Sequence, residues 1–293
     1  MKKIIILSAV LSFIIVASVK AQKLPNIQEK SLRAPAAIKV DGKPTEWNDQ
    51  FQAYNKATDI FYTISNDNDK LYLTVKVPNL DIINKIVSAG ITLTINGTGK
   101  MKDQDGMSVT YPYLNIDRLT WGANPRGSYT PTFPPIPSIN MVMENSANSK
   151  GRIDSFMVIF NQDLSSKAKD IKIEGIKEIK DPLISIYNPQ GIKVAALVDN
   201  NTDLTYELAI PLKSLGLSIN SPKPFFYNIK LTGFNPDPEG HGNKFGPVYK
   251  TFREELKKTI WGDVAYVLKG PYGPLVTTLI WPTDFWGEYT LAK

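Results

Sequence analysis

Cysteine is absent from the chain and histidine occurs once, at His241. The first absence excludes disulfides, a thiol nucleophile and thiolate zinc sites. It also excludes a lipid-anchoring cysteine. The second leaves a Ser-His-Asp triad dependent on one residue, and that residue lies in Glu239-Gly240-His241-Gly242-Asn243, where flanking glycines predict an exposed loop. A zinc site would have only carboxylates to add to it. Charge of one sign is also scarce, with a formal total of +6 and no clustered basic face, so nucleic acid is not an expected partner. There is no internal repeat and hardly any extended helical periodicity. The longest apolar run lies within the first 21 residues.

That run is expected to be a targeting segment. Lys2 and Lys3 precede an apolar stretch from Ile4 to Val16, and Ser18-Val19-Lys20-Ala21 supplies a small-residue cleavage site before Gln22. The stretch is short for a membrane span. Residues 1–21 are therefore expected to be a signal peptide, and 22–34 a polar lead. The expected destination is the periplasm, cell surface or extracellular space, with no integral membrane segment after cleavage. Processing would take the formal charge to about +3, because Lys2, Lys3 and Lys20 leave. Without disulfides, the remaining chain must be held by a core, and its length suffices for one.

Period-two alternation runs through the rest of the chain. Ile60, Tyr62 and Ile64, then Leu71, Leu73, Val75 and Val77, flank the polar turn Asn66-Asp67-Asn68-Asp69 and predict a hairpin. Ile91, Leu93 and Ile95 repeat the pattern before Asn96-Gly97. Met107–Tyr113, Ile184–Tyr187, Lys193–Val198, Leu204–Ile210 and Phe225–Phe234 are further predicted strands, with Pro211 ending the fourth. A single helical turn is expected within 81–88. Short strands around Phe156–Phe160 and at Ile171 and Ile173 are expected with a short helix at Gln162–Asp170. Pro125, Pro131, Pro134, Pro135 and Pro137 must lie outside any ladder. Residues 235–293 are rich in Gly and Pro, with a helix expected near Phe252–Lys258 and an edge strand at Glu288-Tyr289-Thr290-Leu291. The fold class expected is all-β: an antiparallel two-sheet sandwich, jelly-roll or immunoglobulin-like, spanning 35–293 as one domain with a long loop-rich C-terminal extension.

Two stretches are more specific. Ile38-Lys39-Val40-Asp41-Gly42-Lys43-Pro44-Thr45-Glu46-Trp47 is expected to form a short strand, a turn at Asp41-Gly42, and a tryptophan that seals one end of the core. Later comes Tyr206-Glu207-Leu208-Ala209-Ile210-Pro211-Leu212-Lys213-Ser214-Leu215-Gly216. In this order the two stretches resemble signatures of family 9 carbohydrate-binding modules and the related DOMON-like sandwiches. The resemblance implies a non-catalytic, saccharide-binding protein, with the sugar held between two tryptophans. It leaves open structural calcium, for which Asn66–Asp69 and Asp103 with Asp105 are the available loops, although the latter lacks a helix-loop-helix register. Otherwise no cofactor or metal is expected. Haem, which some DOMON-like relatives bind through Met and His, would have only Met141, Met143 and His241, and is not expected.

Sugar rings offer flat C–H faces to Trp and Tyr, while neighbouring polar groups bond the hydroxyls. The candidate ligand-binding residues are Trp121, Trp281 and Trp286, with Tyr111, Tyr113, Arg118 and Arg126 as companions; core packing is the competing role for each aromatic. The partner expected is a saccharide or polysaccharide, with a cell-surface partner as a further option. The main alternative is an exported structural or protein-interaction sandwich without a sugar site. A polysaccharide hydrolase, needing a carboxylate pair that no stretch marks out, ranks below both.

Overall fold

The computed structural model describes residues 23–98, 101, 106–113, 150–233 and 281–293. Eleven strands in these residues form two antiparallel sheets. The strands are β1 (Ala53–Asn55), β2 (Ile60–Asn66), β3 (Lys70–Val77), β4 (Ile91–Asn96), β5 (Met107–Tyr113), β6 (Asp170–Glu174), β7 (Leu183–Ser185), β8 (Lys193–Val198), β9 (Leu204–Pro211), β10 (Phe225–Leu231) and β11 (Thr283–Tyr289). One sheet has the order β1-β2-β3-β9-β8, the other β11-β10-β4-β5-β6-β7.

The alternation read in the sequence explains how they stack. Residues of one parity, such as Ile64 on β2, Leu73 on β3, Leu208 on β9, Leu93 on β4 and Ile229 on β10, are fully or almost fully buried in a single core. Rings meet across the two layers: Tyr62 lies 5.0 Å from Phe285, and Tyr206 lies 6.3 Å from Tyr111. Tyr62 and Tyr227 also share a hydroxyl–hydroxyl bond of 3.0 Å. The expected two-sheet sandwich is thus the fold.

The structure departs from the local expectations at several points: β11 runs from Thr283 to Tyr289 where an edge strand is expected at 288–291, and three further differences are larger. Residues 38–40 form no strand. The chain from Asp41 to Gln52 instead crosses the outer face of the five-stranded sheet as a strap. Gly42, at φ 80°, sits so close to β8 that a Cβ would approach Leu197 Cβ to 2.7 Å. Trp47 is buried, on a 3₁₀ turn over Thr45–Trp47, but belongs to this outer layer and not to the inter-sheet core. The single turn expected within 81–88 is a ten-residue helix, α1 (Leu80–Ala89), started by Asn79, whose side chain accepts from the Asp81 N–H. Ile82, Ile83, Ile86 and Val87 supply its apolar face. The strand expected at Phe156–Phe160 and the helix at Gln162–Asp170 are replaced by one helix, α2 (Lys150–Lys167), and Asp170 opens β6. Met157, Phe160 and Leu164, spaced by three and four, are buried; that spacing is a helical period.

The N-terminal lead is docked on the sandwich. Beyond Ala53, the start of β1, the Gln28 side chain takes the place of a paired strand: its Oε1 accepts from Ile64 N–H at 2.7 Å and its Nε2 donates to Ile64 O at 2.8 Å. Asn66, fully buried, does the same for the other end of the chain, accepting from Ala292 N–H at 2.7 Å and donating to Ala292 O at 3.0 Å. Among the described residues, no helix is long and apolar enough to cross a membrane.

Candidate functional site

Residues of the other parity turn away from the core, and registry aligns them into rows. On the six-stranded sheet, Trp286 pairs with Asn228, Asn228 with Thr94, Thr94 with Ser108, and Ser108 with Glu174. Directly opposed residues share a face. These five therefore stand in one line across the outer face. The next line holds Asp284, Lys230, Thr92, Thr110 and Lys172. Hydroxyls dominate its middle, where Thr92 bonds Thr110 at 2.7 Å and Thr232 at 3.0 Å.

The β10–β11 end of this face differs chemically. Trp286 is half-buried and Asp284, two residues earlier on the same face, is exposed. The carboxylate is held from beneath: Asn228 Nδ2 donates to Asp284 Oδ2 at 2.7 Å and to Phe285 O at 3.1 Å. Asn228 is 1% exposed, and its Oδ1 has no hydrogen-bond partner. That oxygen is itself shielded from solvent, so with its nitrogen committed to two acceptors Asn228 serves to orient the carboxylate from below. Trp281 is exposed where the chain enters β11. Two aromatic rings and an oriented carboxylate are therefore gathered on one edge strand and the chain leading into it. Their chemistry is recognition by stacking and hydrogen bonding.

The sequence-predicted residues fall unevenly around this place. Trp281 and Trp286 lie in it. Tyr111 is buried in the core against Tyr206, where burial pushes its hydroxyl up to about 12. Tyr113 ends β5 opposite Asp170, away from β11. Trp121, Arg118 and Arg126 lie outside the described residues, as do Asp103, Asp105, Met141, Met143 and His241. In the turn Asn66–Asp69, Asp67 Oδ1 accepts from the N–H groups of Asp69 and Lys70, and Oδ2 from the Tyr72 hydroxyl. Arg33 donates to Asn68 Oδ1 in the same turn. These oxygens are engaged by the turn itself, which does not fit a calcium loop. Among the described residues, no group of three or more His, Cys, Asp or Glu gathers to hold a metal.

Asp284 and Asn228 were not singled out in the sequence. Their signal was the outward half of an alternation whose inward half is obvious: Asn228 falls between Tyr227 and Ile229, and Asp284 precedes Phe285. Glu207 presents the opposite case. Its carboxyl is 2% exposed, and burial pushes its pKa up to about 7, the kind of perturbation that marks active sites. Yet Oε2 accepts from Asp41 N–H and Gly42 N–H, both at 2.8 Å, so its partners are the chain's own strap. It is a latch. Compared with known proteins, the chain matches no family model and no curated protein.

Proposed function

We propose that this is an exported, non-catalytic protein that binds a saccharide on the β10–β11 end of the outer face. The observation carrying this reading is the placement of Trp286 and Asp284 on one face, with the carboxylate fixed by Asn228. A pyranose ring offers a C–H face for the indole, hydroxyls that donate to the carboxylate, and no need of covalent chemistry. The likeness of the Asp41-Gly42…Glu46-Trp47 and Glu207…Gly216 stretches to family 9 carbohydrate-binding modules and DOMON-like sandwiches supports the same reading. The apolar segment at 4–16 supports export.

Affinity electrophoresis against a panel of soluble polysaccharides, followed by calorimetry on any that retard the protein, tests it. Trp286→Ala and Asp284→Asn should each weaken binding about tenfold while leaving the unfolding midpoint in place. Retardation by no glycan, or binding indifferent to both substitutions, overturns the assignment. In the former case an interaction sandwich becomes the better description, and pull-down of a protein partner the next measurement.

A further inference from the structure

Helix α1 presents four apolar residues to the body of the protein, and with them a lysine. Lys85 is 1% exposed. Its Nζ donates to Trp281 O at 2.5 Å and to Thr283 Oγ1 at 3.1 Å, so both bonds end where the chain enters β11. Burying an ammonium is costly, and an apolar side chain of similar length would fill the same volume without that cost. Burial is felt in the amine, whose pKa is pushed down to about 8. What an apolar residue could not do is hold a backbone carbonyl. The carbonyl held belongs to Trp281, whose own side chain is 52% exposed.

We infer that Lys85 is a positioning residue that fixes the backbone of Trp281 and so presents its indole, already ordered, as a second aromatic contact for the ligand. This rests on the saccharide-binding reading, since an ordered exposed indole is useful where something packs against it. Binding orders side chains and loops at a cost, and fixing the backbone beforehand removes part of it. The charge sits out of solvent and needs no contact with the sugar; Lys85 acts through Trp281.

A double-mutant cycle separates this from a merely structural role. With the most strongly retained soluble polysaccharide as probe, Trp281→Ala and Lys85→Met should each weaken binding about fivefold, and the double variant no more than either alone. Lys85→Met should leave the unfolding midpoint about where it is, because the cost of burying the ammonium that it removes offsets the two acceptors it leaves. Hydrogen exchange of the peptide covering the start of β11 should rise in Lys85→Met with or without a sugar. Additive losses in the double variant, a parallel fall of affinity and midpoint, or unchanged exchange each overturn the inference. If the wild type binds no glycan while exchange rises as expected, the clamp stands and the saccharide reading falls. If Trp286→Ala and Asp284→Asn abolish binding but Lys85→Met leaves it intact, the saccharide reading stands and the positioning role falls.

Discussion

On the outer face of the five-stranded sheet, Thr63, Thr74, Thr205 and Glu207 are buried under residues 41–52. On the outer face of the six-stranded sheet, Thr94, Ser108, Thr110 and Asn228 are buried as well, but at the β11 edge Trp286 remains partly and Asp284 largely in reach of solvent. Both faces are polar, and both belong to strands whose inward residues pack one shared core. They differ in where the polar groups find partners. Glu207 takes two strap N–H groups, Thr63 Oγ1 accepts from Gln52 N–H at 3.1 Å, and Lys76 bridges Asp49 of the strap to Asp203. Asn228, by contrast, spends its amide nitrogen on Asp284, a carboxylate that itself faces solvent. One face is covered by the chain's own strap, while the other leaves an indole and an oriented carboxylate in reach of solvent at its β11 edge. A strained pKa alone therefore does not locate function in this protein, because the most perturbed described carboxylate lies under the strap.

The contrast between the two faces is tested most severely at the latch. Glu207→Ala leaves the buried Gly42 N–H and the part-buried Asp41 N–H without their acceptor and a cavity beneath the strap, and should cost about 3 kcal/mol of stability. Urea denaturation measures it. Saccharide affinity of the folded protein should be unchanged, because the strap and β11 lie on different sheets. A smaller loss, which should take binding with it, is expected at Gly287. This residue faces Tyr227 across β10–β11, and an added Cβ would come within 2.3 Å of the phenol ring. Tyr227 is fully buried and bonded to Tyr62, so it has nowhere to move. Gly287→Ala should cost about 2 kcal/mol by overpacking and lower affinity too, because β11 carries Asp284 and Trp286. If Gly287→Ala destabilised the fold but spared binding, the site would have to lie elsewhere.

The inward half of each strand was legible because apolar residues at every second position admit few other structures; Leu71 to Val77 and Leu204 to Ile210 needed only registry to become a core. Helix α2 was misread because Phe156 to Phe160 looks like a short apolar run, and only Leu164 reveals the three-and-four spacing. The strap was misread for a different reason. Asp41-Gly42 does make a turn, but what the turn bonds to is a glutamate 165 residues away in sequence, a contact no local pattern carries. Trp281 and Trp286 could be nominated as aromatics near one another in the chain. Asn228 could not, because its role depends on which strand lies beside β10, and that strand comes after a long intervening stretch.

The pH dependence of stability probes the same contrast on its subtler side. Burial raises the Glu207 carboxyl to about 7, with Asp41 and then Glu46 adding to the rise, against the two strap N–H groups, which lower it. In the unfolded chain a glutamate titrates near ~4.3. The folded state therefore holds this proton more tightly, and the associated stability is fully present below ~4.3 and is lost as pH rises through 7. Between pH 6 and 8 the loss should be about 1.4 kcal/mol. Lys85 runs the other way: its amine is pushed down to about 8, below its unfolded value, so it adds a few tenths of a kcal/mol of stability as pH rises across the same interval. The measurement that isolates the latch is thus a difference, the wild type minus Glu207→Gln, since Lys85 titrates in both. The glutamine variant should keep an acceptor for the strap and show little fall in urea midpoint from pH 6 to 8 where the wild type shows a clear one. Equal slopes would mean that the carboxyl is not confined as the strap confines it, and that the two outer faces are less different than their hydrogen bonds make them.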